Sequence, residues 1–345
     1  MYLDQQRLER MLTGALADRL RPLEIGELLS AQLRGLVPHD TLAVTGYDPG
    51  SGLCAYGIWH QLNRSLRAKQ LQLTHLGDAA TVGPTRPLAL IGGRYGGDHP
   101  AELELLGRYQ VGSELRLALG DGNRVGGMFS LSRGEDSAPF DQEEAARVRQ
   151  LVPPLTRLLH RYAVSLVPRP GEDRTAPGVV VLDSTYRMRG VTPQAGYWLE
   201  RTMSTLGVGP VPPEVAVQAL GFESALVAQK QARAGRPGPV RLCLPARYAG
   251  SWLSVQTEVL DPGSPDSELA VTVGGGRVPL PTLASWYRLT DREHRVVAEL
   301  RDGAAPKQVA RRLGLSVHTV NDHLKAVFRK TDTHSRSELT AIVGS

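Results

Sequence analysis

The feature that most constrains the fold of this chain is a run of four short helical patterns at residues 289–343. Thr290 and Glu293 form a capping box at the start of the first pattern. Gly314 ends the second pattern, and Ser316 caps the third after a turn of only a few residues, which is the spacing of a helix-turn-helix. The segment therefore predicts a small helical bundle that contains a helix-turn-helix.

The third of these patterns has two distinct faces. Its inner stripe is formed by Val320, Leu324, Val327 or Phe328, and Thr331. The opposite stripe carries side chains that all form hydrogen bonds and do not suit a core: His318, Asn321, Asp322, Lys325 and Arg329. A surface helix would also be polar there, so this pattern alone does not separate a solvent-facing helix from a DNA-binding one.

The positive charge of the chain is concentrated in the same segment. The whole chain has a formal net charge of +5. From Arg288 to the end, eleven Lys or Arg stand against seven Asp or Glu, which leaves +4, whereas the rest carries 29 against 28. A basic local balance favours contact with phosphates, although four charges alone are a weak argument.

The order of residues in this segment resembles the LuxR-type helix-turn-helix family over nearly its whole length. The resemblance rests on the stretches LTDREHRVVAEL, KQVARRLGLSVHTVNDHLKAVFRK and SRSEL. It implies that the third helix enters the major groove of double-stranded DNA and that the first two helices brace it. It also implies that the fourth helix, capped by Ser335 with Glu338 three residues on, contributes to dimer contact or backbone positioning.

Carried over position by position, the resemblance places Asn321, Asp322 and Lys325 at the base-reading sites. Their chemistry fits, because Asn pairs with adenine, Lys pairs with guanine and Asp accepts a hydrogen bond from cytosine. His323 is assigned to packing and orientation rather than to catalysis. The residues expected to contact the DNA backbone, which position a protein without reading sequence, are Lys307, His318, Thr319, Arg329, Lys330 and Arg336.

Two positions depart from the family pattern. Thr331 stands where the family usually has Leu, which predicts a looser junction between the third and fourth helices. Asp322 places a negative charge at the groove, which repels phosphates unless it finds a base donor. We therefore expect Asp322 to narrow the sequence choice and to lower affinity.

The amino-terminal half of the chain alternates helical and strand-like patterns. A helical run at residues 3–37 is broken by a proline, and two strand-like runs, Thr41 to Tyr47 and Leu53 to Trp59, predict a hairpin. Alternation from Glu114 to Leu131 around a glycine-containing turn predicts a second hairpin. Residues 60–112 mix a short helical stretch with loops rich in Gly and Pro and are not assigned further.

The second hairpin ends in Gly-Gly-Met-Phe-Ser-Leu-Ser-Arg, and a helix then begins with Phe140-Asp141-Gln142-Glu143-Glu144. With the preceding order of helices and hairpin, these stretches resemble a GAF sensory domain over about residues 5–165. The resemblance implies a domain that holds a small ligand over an antiparallel sheet or that dimerises. Five aromatic residues are candidates to line a pocket, with core packing as the favoured interpretation: Tyr47, Tyr56, Trp59, Tyr95 and Phe129.

The helix after Phe140 has apolar residues at alternating steps of three and four: Ala145, Val148, Val152, Leu155, Leu159, Tyr162 and Leu166. This spacing is a heptad seam and predicts a dimer contact. Against it, Pro153 and Pro154 must kink or restart the helix. A helix packed on the sheet of its own domain is the alternative interpretation.

Residues 178–274 resemble a PAS domain, since a strand, helices and three antiparallel strands follow one another and Thr192-Pro193-Gln194-Ala195 stands where that family often has Asn-Pro-x-Ala. No flavin- or haem-anchoring motif is present, so a PAS-like spacer is expected and no cofactor. The chain is thus predicted to be α+β, with two antiparallel-sheet domains followed by an all-α helix-turn-helix domain. The predicted divisions are 1–167 (GAF-like), 168–177 (linker), 178–274 (PAS-like), 275–287 (a linker that tethers loosely) and 288–345 (DNA-binding).

The sequence also limits the functional class. It lacks the nucleotide-binding glycine motifs and metal-ligand clusters of a sensor kinase or phosphodiesterase, so no enzymatic activity and no metal are expected. No apolar run is long enough to span a membrane, and we expect a cytoplasmic protein. Cys54 and Cys243 are expected to be buried thiols.

The expected function is that of a one-component regulator of transcription, acting as a homodimer on an inverted repeat, with a small ligand and RNA polymerase as further expected partners. Two alternatives stay open. One is a response-regulator-like factor controlled by a partner protein, and the other is a sensory interaction module without a direct ligand.

Overall fold

A computed structural model describes residues 5–92, 99–121, 124–164, 176–205, 211–244, 252–264, 266–275 and 279–343. Two antiparallel five-stranded sheets, each with its own helices, precede a bundle of short helices. The predicted α+β class is therefore confirmed. Across the described ranges, the helices are all too short or too polar to cross a lipid bilayer.

The first domain is built on a sheet of strands β1 Thr41–Tyr47, β2 Cys54–His60, β3 Leu88–Gly92, β4 Val111–Asp121 and β5 Arg124–Gly134. The strand order is β2-β1-β5-β4-β3, and every pair is antiparallel. Its helices are α1 Gln5–Ala17, α2 Pro22–Leu33, α3 Arg64–Leu76, α4 Pro100–Arg108, α5 Gln142–Arg149 and α6 Val152–Val164.

Both predicted hairpins of the first domain are present, as β1–β2 and β4–β5. The predicted break in the first helical run is also confirmed, because Pro22 occupies the first turn of α2, where its missing N–H leaves no hydrogen bond unmade. Helix α3 and strand β3 lie in the stretch that the sequence left unassigned. Asn63 caps α3 by accepting from the Leu66 N–H, and Gly77 ends it with φ of 91°.

The predicted heptad seam is divided between two helices. Helix α5 ends at Arg149, and α6 restarts at Val152, so that Pro153 and Pro154 lie in the first turn of the new helix. The seam residues that the structure describes are buried in the core of their own domain, apart from the half-buried Val152. Leu166 lies outside the described residues. The dimer interpretation of this seam is therefore wrong, because its apolar side chains already pack against the sheet.

The space between the sheet and helices α3 and α4 contains a buried ionic network. The Arg116 guanidinium lies 2.6 Å from Glu102 and 2.9 Å from Glu114, and all three side chains are almost completely buried. Gln70 on α3 donates to Glu114 at 2.7 Å, and Arg116 also donates to the Ala80 carbonyl. Each buried charge is thus matched by several hydrogen bonds, as burial requires.

The second domain contains strands β6 Gly178–Leu182, β7 Met188–Val191, β8 Val240–Leu244, β9 Leu253–Val259 and β10 Leu269–Gly275, with helices α7 Pro193–Thr205, α8 Pro213–Leu220 and α9 Phe222–Arg233. Its strand order is β7-β6-β10-β9-β8, which repeats the order of the first sheet. The predicted strands and helices are present, whereas β7 was not predicted. Thr192 accepts hydrogen bonds from the N–H groups of Val179 and Ala195 and so joins the start of α7 to β6.

The first and second domains share polar contacts. Glu223 on α9 accepts from the Cys54 N–H at 2.7 Å and lies 3.0 Å from His75 Nε2. Asp48, after β1, accepts from the Cys243 N–H at 3.3 Å. Cys243 is buried as predicted, whereas Cys54 is half-buried. Desolvation raises the pKa of each thiol to about 12, so both thiols stay protonated.

The prediction of a loose linker at 275–287 is wrong from residue 279 onward. Residues Leu280–Trp286 form helix α10, which begins after Pro279. Trp286 is only 5% exposed and packs on Tyr56 and on Trp252, with 5.7 Å between ring centroids in both pairs. Tyr162 stacks on Tyr56, and Tyr287 meets Trp252 edge to face.

We refer to Tyr56, Tyr162, Trp252, Trp286 and Tyr287 as the aromatic cluster. It joins the first domain, the second domain and α10. The prolines and glycines of this segment suggested a flexible tether, but the two aromatic residues that follow them bury enough surface to fix it.

Candidate nucleic-acid interface

The carboxy-terminal bundle consists of α11 Asp291–Arg301, α12 Pro306–Leu313, α13 Val317–Thr331 and α14 Arg336–Val343. The predicted capping box is formed, since the Glu293 N–H donates to Thr290 Oγ1 at 3.3 Å and the Thr290 N–H donates to Glu293 at 2.7 Å. Gly314, with φ of 65°, ends α12, and the Ser316 hydroxyl accepts from the Thr319 N–H to begin α13. The predicted helix-turn-helix is therefore present.

Helix α14 begins as predicted. Ser335 Oγ accepts from the Glu338 N–H at 3.2 Å, and the Glu338 carboxylate accepts from the His334 N–H at 2.7 Å. The hydrogen bond from the His334 N–H is the main reason that the pKa of the Glu338 carboxyl lies below its usual value. The fourth helix thus has a fixed start on the bundle.

The core of the bundle fixes which side of α13 faces outwards. The predicted inner residues Val320, Leu324 and Val327 are buried against apolar side chains of α11 and α12, and Phe328 is half-buried. The buried partners on α11 and α12 are Val296, Val297, Leu300, Val309 and Ala310. Since the inner stripe is buried, the opposite stripe of α13 must face solvent.

The three predicted base-reading residues all lie on this outer stripe. Asn321, Asp322 and Lys325 are exposed, with 77% of the Lys325 side chain accessible. Asp322 lies 3.5 Å from the Lys325 ammonium and 3.4 Å from His318 Nε2. Ion pairs this exposed contribute little to stability, so these side chains can exchange them for DNA contacts at small cost.

The predicted backbone-contacting residues have different surroundings. Lys307, Arg329 and Arg336 are exposed, and the His318 side chain is 86% accessible. Thr319 is half-buried, and its hydroxyl lies 2.8 Å from Ser316 Oγ within the first turn of α13. Lys307, Arg329 and Arg336 can therefore reach a phosphate directly, whereas His318 and the Thr319 hydroxyl would first leave their contacts with Asp322 and Ser316.

Lys330 has a contact that the sequence does not predict. Its ammonium lies 2.6 Å from the Glu293 carboxylate and 2.9 Å from the Arg288 carbonyl oxygen, and its side chain is only 26% exposed. Burial opposes ionisation of Glu293, but Lys330 and the Thr290 N–H outweigh it and hold the pKa of Glu293 below its usual value. The geometry thus favours a structural role for Lys330, as a link between α13 and the start of α11.

No local sequence signal would have found this link, because the two residues are 37 positions apart. Each also had a sufficient local explanation, Glu293 as part of a capping box and Lys330 as one more cation on a DNA-binding helix. Only the packing of α11 against α13 brings the two charges together.

Thr331 occupies the position that departs from the family pattern. It is buried, and its hydroxyl donates to the Val327 carbonyl at 2.9 Å and lies 2.8 Å from Thr333 Oγ1. Asp332 then ends α13 in the left-handed region, with φ of 52°. The hydroxyl that replaces an apolar side chain is therefore satisfied within the chain, and a looser junction stays a prediction.

The comparisons with known proteins concern mainly this bundle. Residues 287–343 match the family described as bacterial regulatory proteins, luxR family. The monoamine regulon transcriptional regulator of Klebsiella aerogenes is 42% identical over 53 residues, which are 15% of this chain and 23% of that protein. The match therefore spans less than a quarter of the length of that relative. These matches confirm the LuxR-type resemblance of the carboxy-terminal bundle.

Two solved structures align with longer stretches of the chain. Escherichia coli SdiA gives a TM-score of 0.37 at 10% identity, over 99% of this chain and 100% of that chain. A GAF domain/HD domain protein from Geobacter sulfurreducens gives 0.30 at 21% identity, over 42% of this chain and 95% of that chain.

Proposed function

Because residues 287–343 form a LuxR-type helix-turn-helix domain, we propose that the chain is a one-component transcriptional regulator that binds double-stranded DNA. The observation that carries this proposal is the exposure of the polar stripe of α13 on a bundle that buries the opposite stripe. A helix held in this way can enter the major groove with its side chains directed at base edges.

In this proposal Asn321, Asp322 and Lys325 read bases. Lys307, His318, Arg329 and Arg336 contact phosphates, with Thr319 beside them at the start of α13. Lys330 would hold α13 against α11 in place of a phosphate contact, since the Glu293 carboxylate already binds its ammonium and offsets its charge. The contact of Asp322 with the Lys325 ammonium reduces the repulsion between Asp322 and phosphates in the free protein.

We further propose that the regulator acts as a homodimer on an inverted repeat. The net charge of the DNA-binding segment is only +4, which favours a second copy to supply enough phosphate contacts for tight binding. The dimer would use a surface other than the α5–α6 seam, because that seam is buried within the chain. The GAF-like domain and a PAS-like second domain would regulate DNA binding in response to a small ligand, in the cytoplasm and in contact with RNA polymerase.

The test is selection of bound sequences from a random double-stranded DNA library by the full chain, followed by binding measurements at several salt concentrations. We expect an enriched inverted repeat whose affinity falls as salt rises. The double variant N321A/K325A is the matched control, because it should lose the enriched motif while retaining weak, salt-dependent binding. Absence of any salt-dependent binding would contradict the proposal and favour the interaction-module alternative.

A further inference from the structure

A cavity of about 300 Å³ lies between the first and second domains. The first domain contributes strand β2 and helix α3 to its walls, and the second contributes α7, α8 and β8. Its volume is at the lower end of the range typical of small-molecule sites. Because both domains line the cavity, any molecule inside it would contact both.

The walls of this cavity are mainly apolar. The side chains that form them include Tyr56, Trp59 and Leu71 from the first domain and Met203, Leu220 and Leu244 from the second. Val215 and Ala219 on α8 are exposed and mark the side on which the cavity opens to solvent. Apolar walls with an open rim suit a ligand whose body is hydrocarbon or aromatic.

One wall residue, Arg67 on α3, does not fit an apolar cavity. It is half-buried, and among the residues that the structure describes its guanidinium forms neither a salt bridge nor a hydrogen bond. The nearby carboxylate of Glu223 is already used, since one oxygen accepts from the Cys54 N–H and the other lies 3.0 Å from His75. A partly desolvated guanidinium without an anion is unfavourable and has five donors available.

We infer that this interdomain cavity binds a small organic anion, with its apolar body between the two domains and its carboxylate on Arg67. The inference rests on the regulatory function proposed above for its biological meaning. Ligand binding is nevertheless measured without DNA, so the cavity and the DNA-binding proposal can fail separately.

The experiment compares octanoate with 1-octanol, which share a hydrocarbon chain and differ in charge, by titration calorimetry on the full chain. We expect octanoate to bind about tenfold more tightly than octanol, since a hydrogen bond to a charged group contributes enough free energy for that ratio. In Arg67→Gln the ratio should fall to about one, and Arg67→Lys should restore part of it. Arg86→Gln, an exposed arginine outside the cavity, is the matched control and should leave the ratio unchanged.

A second variant tests the cavity itself. Ala219→Phe places a ring at the exposed rim without disturbing the core and should weaken both ligands at least tenfold. Failure of both ligands to bind the wild-type chain would overturn the inference. So would an octanoate preference that Arg67→Gln leaves intact, or binding that Ala219→Phe does not affect.

Discussion

Lys325 offers the sharpest test at the scale of single residues. Its side chain is exposed and holds only a weak contact with Asp322. If it reads guanine, Lys325→Ala should weaken specific binding by about 1–3 kcal/mol and relax one base preference. Competition binding with operators changed at one base pair at a time measures both effects, and an unchanged base profile would contradict the assignment.

Arg329→Ala, unlike Lys325→Ala, should weaken DNA binding without changing the base preference. Arg329 is exposed near the end of α13, where it can contact a phosphate. Its loss should lower affinity for all sequences alike and reduce the slope of log affinity against log salt by about one. A slope that is unchanged or steeper would rule out the phosphate contact.

Glu293 provides a pH-dependent prediction. Its pKa is held below its usual value in the folded chain, so its ionised form stabilises the fold at neutral pH, and this contribution is lost as pH falls through the folded-state pKa. Glu293→Gln should destabilise the contact between α11 and α13 by about 1–3 kcal/mol at pH 7. The difference from wild type should shrink below about pH 4, near the ordinary pKa of glutamate.

Hydrogen exchange of α11 and α13 amides, compared between wild type and Glu293→Gln at each pH, measures this. Glu299→Gln is the control, because Glu299 on the same helix also forms an ion pair, with Arg312, but a more exposed one. An equal effect of the two substitutions would refute a special role for the Glu293–Lys330 pair.

These residues also show what a sequence can reveal about a site. The exposed stripe of α13 was predictable because a period of 3.6 residues separates its two faces whatever the neighbouring helices do. The partner of Lys330 was not predictable, since it depends on how α11 crosses α13. The position of Arg67 in the cavity wall was equally unpredictable, because α3 itself had no clear pattern in the sequence.

At the scale of elements, helix α10 connects the carboxy-terminal bundle to the two sheet-containing domains. Trp286→Ala would remove a buried ring that contacts both Tyr56 and Trp252, and such losses typically cost about 3–5 kcal/mol. We expect α10 to detach first, giving faster exchange of its amides and earlier proteolytic cleavage near residue 279. Trp286→Phe keeps a ring in place, so its exchange and cleavage rates should lie between those of Trp286→Ala and wild type. Equal rates in Trp286→Ala and wild type would contradict the role of the ring.

The elements that sequence reasoning missed share one property. Helix α3, strand β3 and strand β7 are short or lack strong apolar periodicity, so their positions depend on contacts with distant parts of the chain. The prediction of a dimer contact at the α5–α6 seam was wrong for the opposite reason. Its periodicity was clear, but a period does not say whether the partner surface belongs to the same chain or to a second copy.

At the scale of the whole molecule, Glu223 links the two sheet-containing domains. Glu223→Ala should expose the Cys54 N–H and release His75, which we expect to lower protection of the Cys54 amide by about 1–3 kcal/mol in hydrogen exchange. Glu223→Gln keeps an acceptor and should have a smaller effect. Glu258→Gln, an exposed carboxylate on β9, is the control, and an equal response there would show that the effect is not local.

The shared strand order of the two sheets has a consequence for how each copy of this protein is made. In each sheet the first strand pairs with the last, so Thr41 meets Ser132 and Val180 meets Val271, each pair roughly 90 residues apart in sequence. Contacts between such distant residues form late and slowly, whereas the contacts among α11, α12 and α13 are local and form fast. These helices follow β5 and β10, the last strands of the two sheets, in the chain. Synthesis from the amino terminus therefore completes both sheets before it reaches the helices. A ribosome thus releases the carboxy-terminal bundle only after the two sheets have had time to close.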